Sequence, residues 1–162
     1  MMRNKLWLAG IFFFVACNND ASVENEASGD TIFSEEEIVM PPAPLPWVSE
    51  FDTVKNEFYL KQQRTVAPDS LTAESLISDL NASWENVKLQ FVKISNDTIY
   101  VSIPESEFLG QQMGSAGAAA YLSSTTYNLT ELKGIKYVNY NMKAGDHASP
   151  GTFSRKSFEN YR

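Results

Sequence analysis

"NVKLQFVKISNDTIYVSIP", residues 86 to 104, decides the fold. Val87, Leu89 and Phe91 alternate with polar neighbours, Ser95-Asn96-Asp97 supplies turn residues, and Ile99, Val101 and Ile103 alternate back. Period-two patterning on both sides of a polar turn predicts an antiparallel hairpin with one buried face. Pro104 ends the second strand because it has no N–H to donate to a ladder.

Toward the N-terminus, "TAESLISDLNASW", residues 72 to 84, puts Leu76, Ile77, Leu80 and Trp84 on one helical stripe. Thr72 suits the N-cap, and Glu74 lies near the electropositive helix end. Before it, Phe58 and Leu60 alternate with Glu57, Tyr59 and Lys61 as a first strand. Toward the C-terminus, a second helix is expected over roughly 115 to 132, where Ala118, Leu122, Thr125, Leu129 and Leu132 recur at helical spacing. Lys133-Gly134 closes it. On this pattern Leu122 and Leu129 face the strands holding Val101 and Val138, whereas Ser123, one position round, should tolerate change. Val138, Tyr140 and Met142 alternate as another strand, and "GTFSRKSF", residues 151 to 158, adds a short edge strand. The order β-α-β-β-α-β predicts an α+β two-layer sandwich, with two helices on one face of a mostly antiparallel sheet.

The 162 residues, 43% of them apolar, leave room for one compact domain plus attachments. Charge is divided unevenly along the chain. Residues 1–17 carry +2, residues 18–50 carry −8, and residues 51–162 carry 11 basic against 12 acidic side chains, which together give the net −7. A near-neutral domain without a Lys/Arg stripe lacks the footprint that neutralising phosphates requires, so nucleic acid is excluded as a partner.

"MMRNKLWLAGIFFFVAC", residues 1–17, has a basic start at Arg3 and Lys5, an apolar run from Leu6 to Val15, and Ala16 before Cys17. This is the grammar of a signal peptide, and the apolar run falls short of the roughly 20 residues that span a bilayer. Cys17 is the single cysteine, so it has no intramolecular disulfide partner. Phe14-Val15-Ala16-Cys17 resembles a bacterial lipobox, with Phe14 in place of the usual Leu. That resemblance implies cleavage before Cys17 and lipidation of its thiol, hence a partner in the membrane and a place in the cell envelope, facing the periplasm or the exterior. Residues 18–50, acidic and then rich in proline (Pro41, Pro42, Pro44, Pro46), read as a disordered linker, and residues 51–162 as the folded domain.

The run from Gly114 to Asp146 resembles the GerM-type domain of sporulation and spore-germination proteins. The small-residue helix entry is Ala118 to Ala120, the pair near the helix end is Leu129-Thr130 in inverted order, and the step after it is Gly134-Ile135. Val138 with Tyr140 forms the strand, and Gly145 the turn. Lys143-Ala144-Gly145-Asp146 departs from the family's usual Asp-Gly, and there is one copy rather than a tandem. With the upstream helix and hairpin the resemblance covers about 55 to 158. It implies a non-catalytic module that binds an envelope protein or its own copies.

"KAGDHASPG", residues 143–151, holds the single histidine beside Asp146 and Ser149. A Ser-His-Asp site needs groups converging from separate parts of a fold, with an oxyanion hole. Three neighbours on one loop diverge, so the stretch reads as a connection, with Gly145 supplying positive φ. No catalytic residue, cofactor motif or metal-ligand set is identified, since one histidine and Cys17 cannot make a zinc site. Oxygen ligands near Asn96, Asp97, Glu105 and Glu107, an anion at Gly114 to Gly117, and a sugar-stacking surface from Trp84, Tyr100, Tyr121, Tyr137 and Tyr140 are weaker readings. Binding of a small ligand or glycan is therefore the alternative function.

Overall fold

The computed structural model describes residues 44–161, so the signal segment, Cys17 and the linker through residue 43 lie outside the described residues. The elements in chain order are β1 (Trp47–Asp52), β2 (Glu57–Gln62), α1 (Ala73–Ser83), β3 (Gln90–Ser95), β4 (Thr98–Ile103), α2 (Gly114–Leu129), β5 (Tyr137–Met142) and β6 (Gly151–Phe153). A π-turn over Phe108–Gln112 leads into α2, and a 3-10 segment over Arg155–Tyr161 follows β6. The class is α+β, as the sequence pattern predicts.

The main sheet has the order β3-β4-β5-β6. Its outer ladders are antiparallel and the central β4/β5 ladder is parallel. Parallel neighbours need a long crossover, which α2 provides. Ile99, Val101 and Ile103 on β4 and Val138, Tyr140 and Met142 on β5 form its buried face. Asp97 at the hairpin tip accepts from the Lys136 and Tyr137 N–H groups, at 2.8 and 3.1 Å, and so sets where β5 begins.

α1 starts at its predicted cap: Thr72 Oγ1 accepts from Ser75 N–H at 3.1 Å, and Leu76, Ile77 and Leu80 are buried. The hairpin departs from strict alternation. Val87 and Leu89 are buried but precede β3, and every β3 residue is exposed. Phe91 opposes Val101 while Lys93 opposes Tyr100, so the register slips at Val92. A bulge of this kind at a sheet edge bends the strand and breaks the pattern that a sequence reading extrapolates.

Two expectations need correction. The linker assignment of 18–50 fails for its last residues, because Leu45 and Trp47 are buried and β1 begins at Trp47. Pro44 and Pro46 precede β1 rather than interrupt it, and Pro46 O accepts from Gln63 N–H at 2.8 Å. β2, the expected first strand, pairs with β1 and not with the main sheet.

The second correction concerns α2. Thr126 Oγ1 meets Tyr140 Oη of β5 at 3.0 Å, while Asn128, about 200° further round the helix, meets the Trp47 backbone of β1. The β1/β2 hairpin therefore covers the side of α2 turned away from the sheet. Ser123 through Asn128 are all buried, so Ser123 is not a solvated position. Buried hydroxyls are accommodated by back-bonding: Ser123 Oγ donates to Ala120 O at 3.1 Å and Ser124 Oγ to Tyr121 O at 3.2 Å.

Burial pushes the Tyr121 and Tyr140 phenols well above their ordinary value, with the Thr125 and Thr126 hydroxyls opposing the shift. Thr125 lies one turn from Tyr121, but neither hydroxyl makes a well-formed hydrogen bond. In an unfolded chain both phenols ionise near pH 10. Their contribution to stability is fully present below that pH and is lost as the pH rises toward the folded-state values. The decline reaches up to about 1.4 kcal/mol per pH unit for each phenol. In urea melts across an alkaline series, Tyr140→Phe should flatten it; an unchanged slope would exclude Tyr140 as a source.

Candidate binding cleft

The loop over residues 143–151 is anchored by its backbone. Lys143 N–H donates to Ser106 Oγ at 3.1 Å, Ser106 Oγ donates back to Lys143 O at 3.2 Å, and His147 N–H donates to Gly110 O at 2.9 Å. Gly145 is not in the left-handed region, which corrects the expected reason for a glycine there. A Cβ at Gly145 would lie 2.5 Å from Gly110 O, so close backbone approach to the π-turn excludes a side chain. His147 does meet a serine, but that serine is Ser115 of α2, with Nδ1 and Oγ 3.1 Å apart. Asp146 and Ser149 are exposed and make no bond to the imidazole.

The other sequence candidates separate. Asp97 forms a long ion pair with Lys136 at 3.7 Å. No three His, Cys, Asp or Glu side chains gather as a metal site among the described residues. At the α2 entry, Gly114 has φ 72°, and a Cβ on Gly117 would lie 2.6 Å from Met113 Cγ, so the glycines serve conformation and packing. The aromatic residues do not form one platform: Tyr121 and Tyr140 are core, and Tyr100 lies under Lys93 Nζ at 4.9 Å on the open sheet face.

Tyr137 borders a separate hollow of about 390 Å³ beside Arg155 and Lys156, and a cleft at the end of α1 is lined by Trp84. As the C-cap of α1 it donates its N–H to Leu80 O at 2.9 Å, and its ring packs edge-on against Tyr121 with centroids 5.3 Å apart. The cleft, about 550 Å³, continues from Trp84 over Val87 to Phe108, Gln112 and Met113 at the π-turn, with Ser83, Glu85 and Asn86 at its rim. A second hollow of about 250 Å³ lies on the β1 side of Ser83 and Trp84. The wall between α1 and β3 is braced by Asn81, whose amide accepts from Leu89 N–H at 2.7 Å and donates to Leu89 O at 2.9 Å.

Sequence reading missed a second cluster. Arg155 Nε donates to Thr130 Oγ1 at 2.8 Å, its terminal nitrogen pairs with Glu131, and its guanidinium lies 5.5 Å from the Trp47 ring and 5.1 Å from Tyr127. Trp47 Nε1 donates to the same Glu131 carboxylate at 2.7 Å. These groups tie β1, α2 and the C-terminal segment together. Their separations of 24 residues and more leave no local motif.

No family model, no curated protein and no solved structure matches this chain. No helix among the described residues is long and apolar enough to cross a membrane.

Proposed function

We propose that this chain is a lipid-anchored, non-catalytic cell-envelope protein whose GerM-type domain works by holding a second envelope protein. The observation that carries the reading is the free edge of the main sheet. All six β3 residues are exposed, and Phe91, Val92 and Ile94 leave 41, 53 and 48% of their surface open. Register puts Phe91 and Ile94 opposite Val101 and Ile99, on the face the helices cover elsewhere. Exposed apolar residues grouped on a strand edge mark interaction surfaces. The same strand carries a bulge and Lys93, two devices that discourage edge pairing between identical copies. A different protein is thus the better occupant. The element order from α1 to β5 agrees with the GerM-type layout, and the lipobox-like Phe14 to Cys17 supports the anchor.

A photo-crosslinking residue at Val92 of the full chain in its membranes should give one discrete adduct of higher mass. Adding Phe91→Ser and Ile94→Ser should abolish it without moving the melting midpoint, since exposed positions cost little. Cys17→Ala should release the protein from the membrane fraction. An adduct unaffected by the two serine substitutions would overturn the edge as the contact, and unchanged membrane partitioning of Cys17→Ala would overturn the anchor.

A further inference from the structure

We propose that the Trp84 cleft binds a neutral mono- or disaccharide, independently of the protein contact at β3. Its volume of about 550 Å³ lies within the range of small-ligand sites. The walls combine two chemistries that a pyranose needs. Trp84, Phe108, Met113 and Val87 offer apolar surface to the C–H faces of a sugar ring, and Trp84 is held in place by the buried Tyr121. Asn86 and Gln112 supply side-chain amides that make no hydrogen bond to another of the described residues. Each amide presents two donors and an acceptor, matching hydroxyls that are themselves donor and acceptor.

Three further features favour a ligand over an incidental hollow. The Trp84 end is pre-organised, because Trp84 O accepts from Val87 N–H at 3.1 Å and Asn81 clamps the next turn of chain. Phe108 and Gln112 stand on a π-turn, an irregularity that recurs at functional sites. That turn is wedged in place by the Gly110 to Gly145 approach. Charge then narrows the ligand: among the described residues that line the cleft Glu85 is the one ionisable group and none is basic, so uronates and phosphosugars are disfavoured.

The test is an indole nitrogen NMR titration of the full chain in a sugar-free zwitterionic detergent. The probes are glucose, galactose, mannose, N-acetylglucosamine and cellobiose, with glucuronate and triglycine as comparators. The Trp84 resonance, identified by its loss in Trp84→Phe, should move saturably with at least one neutral sugar while that of Trp47 stays still. Asn86→Ala and Gln112→Ala, both at exposed positions, should each weaken that binding about fivefold and leave the melting midpoint unchanged. The proposal fails if no neutral sugar gives a saturable shift, if glucuronate or triglycine binds as well, or if neither amide substitution weakens binding. Loss of the Val92 crosslink would leave this result untouched, so the two readings fail separately.

Discussion

Gly145→Ala is expected to be among the most damaging single substitutions in the domain, costing about 3 kcal/mol or more. The added methyl would lie 2.5, 2.6 and 2.7 Å from the O, Cα and C atoms of Gly110. Those are main-chain atoms, so no rotamer change relieves the clash, and the π-turn or the 143–148 loop must move as a unit. The His147 N–H to Gly110 O bond goes with it. Gly114 and Gly134 provide the contrast, since both have positive φ, 72° and 80°, with nothing within 4 Å of an added Cβ. There alanine meets only left-handed backbone strain, about 1 kcal/mol. Urea melts of the three variants should therefore rank Gly145→Ala well below the other two. Equal midpoints would mean that the two backbones do not approach so closely. Because Phe108 and Gln112 ride on the same π-turn, Gly145→Ala should also weaken whatever the Trp84 cleft holds.

What the sequence made legible follows from how many faces each element buries. α1, β4 and β5 each bury one face, so their period of 3.6 or 2 is visible and Leu76, Leu80, Val101 and Val138 fall where the pattern puts them. From Ala120 to Leu129, α2 buries every side, against the sheet on one and the β1/β2 hairpin on the other. Ser123 and Ser124 satisfy their hydroxyls on the helix's own carbonyls and Thr126 meets Tyr140, so polarity no longer reports exposure. Reading Ser123 as solvated was the natural error. β1 was hidden by Pro44 and Pro46, whose presence in an acidic, proline-rich stretch signals a linker until Trp47 is seen to be buried. Phe91 keeps the expected face, opposite Val101, but stands uncovered at the sheet edge, and the bulge at Val92 turns Ile94 to that same face, which no alternation rule anticipates. The cleft was half legible: Trp84 stood out as an aromatic residue at the end of a helical stripe. Its partners Gln112 and Met113 carry no signal until the π-turn brings them across.

Asn128→Ala is the second large effect, and it tests the layer that the sequence concealed. The Asn128 side chain behaves like a short piece of strand. Its Oδ1 accepts from Trp47 N–H at 3.0 Å, and its Nδ2 donates to Trp47 O and to Ser124 O, both at 2.8 Å. All of this is buried, so truncation takes the Asn128 amide away from a donor and an acceptor of the Trp47 backbone and from Ser124 O. Each such group costs about 1–3 kcal/mol, and together they amount to about 3 kcal/mol or more, a large share of the 5–15 kcal/mol a domain commonly has. Asn128→Asp should be no better: the carboxylate still accepts from Trp47 N–H but turns negative charge on two carbonyl oxygens. Hydrogen exchange separates local from global damage. If β1 docks on α2 through Asn128, the Trp47 amide should lose protection in Asn128→Ala before the β4 and β5 amides do, because the main sheet keeps its own ladders. Trp47 protection equal to wild type would mean that the edge-on packing of Trp47 on Tyr127, with centroids 5.0 Å apart, and the Glu131–Arg155 pair hold the hairpin without the amide. The third layer would then rest on aromatic and ionic contacts rather than on mimicry of a strand.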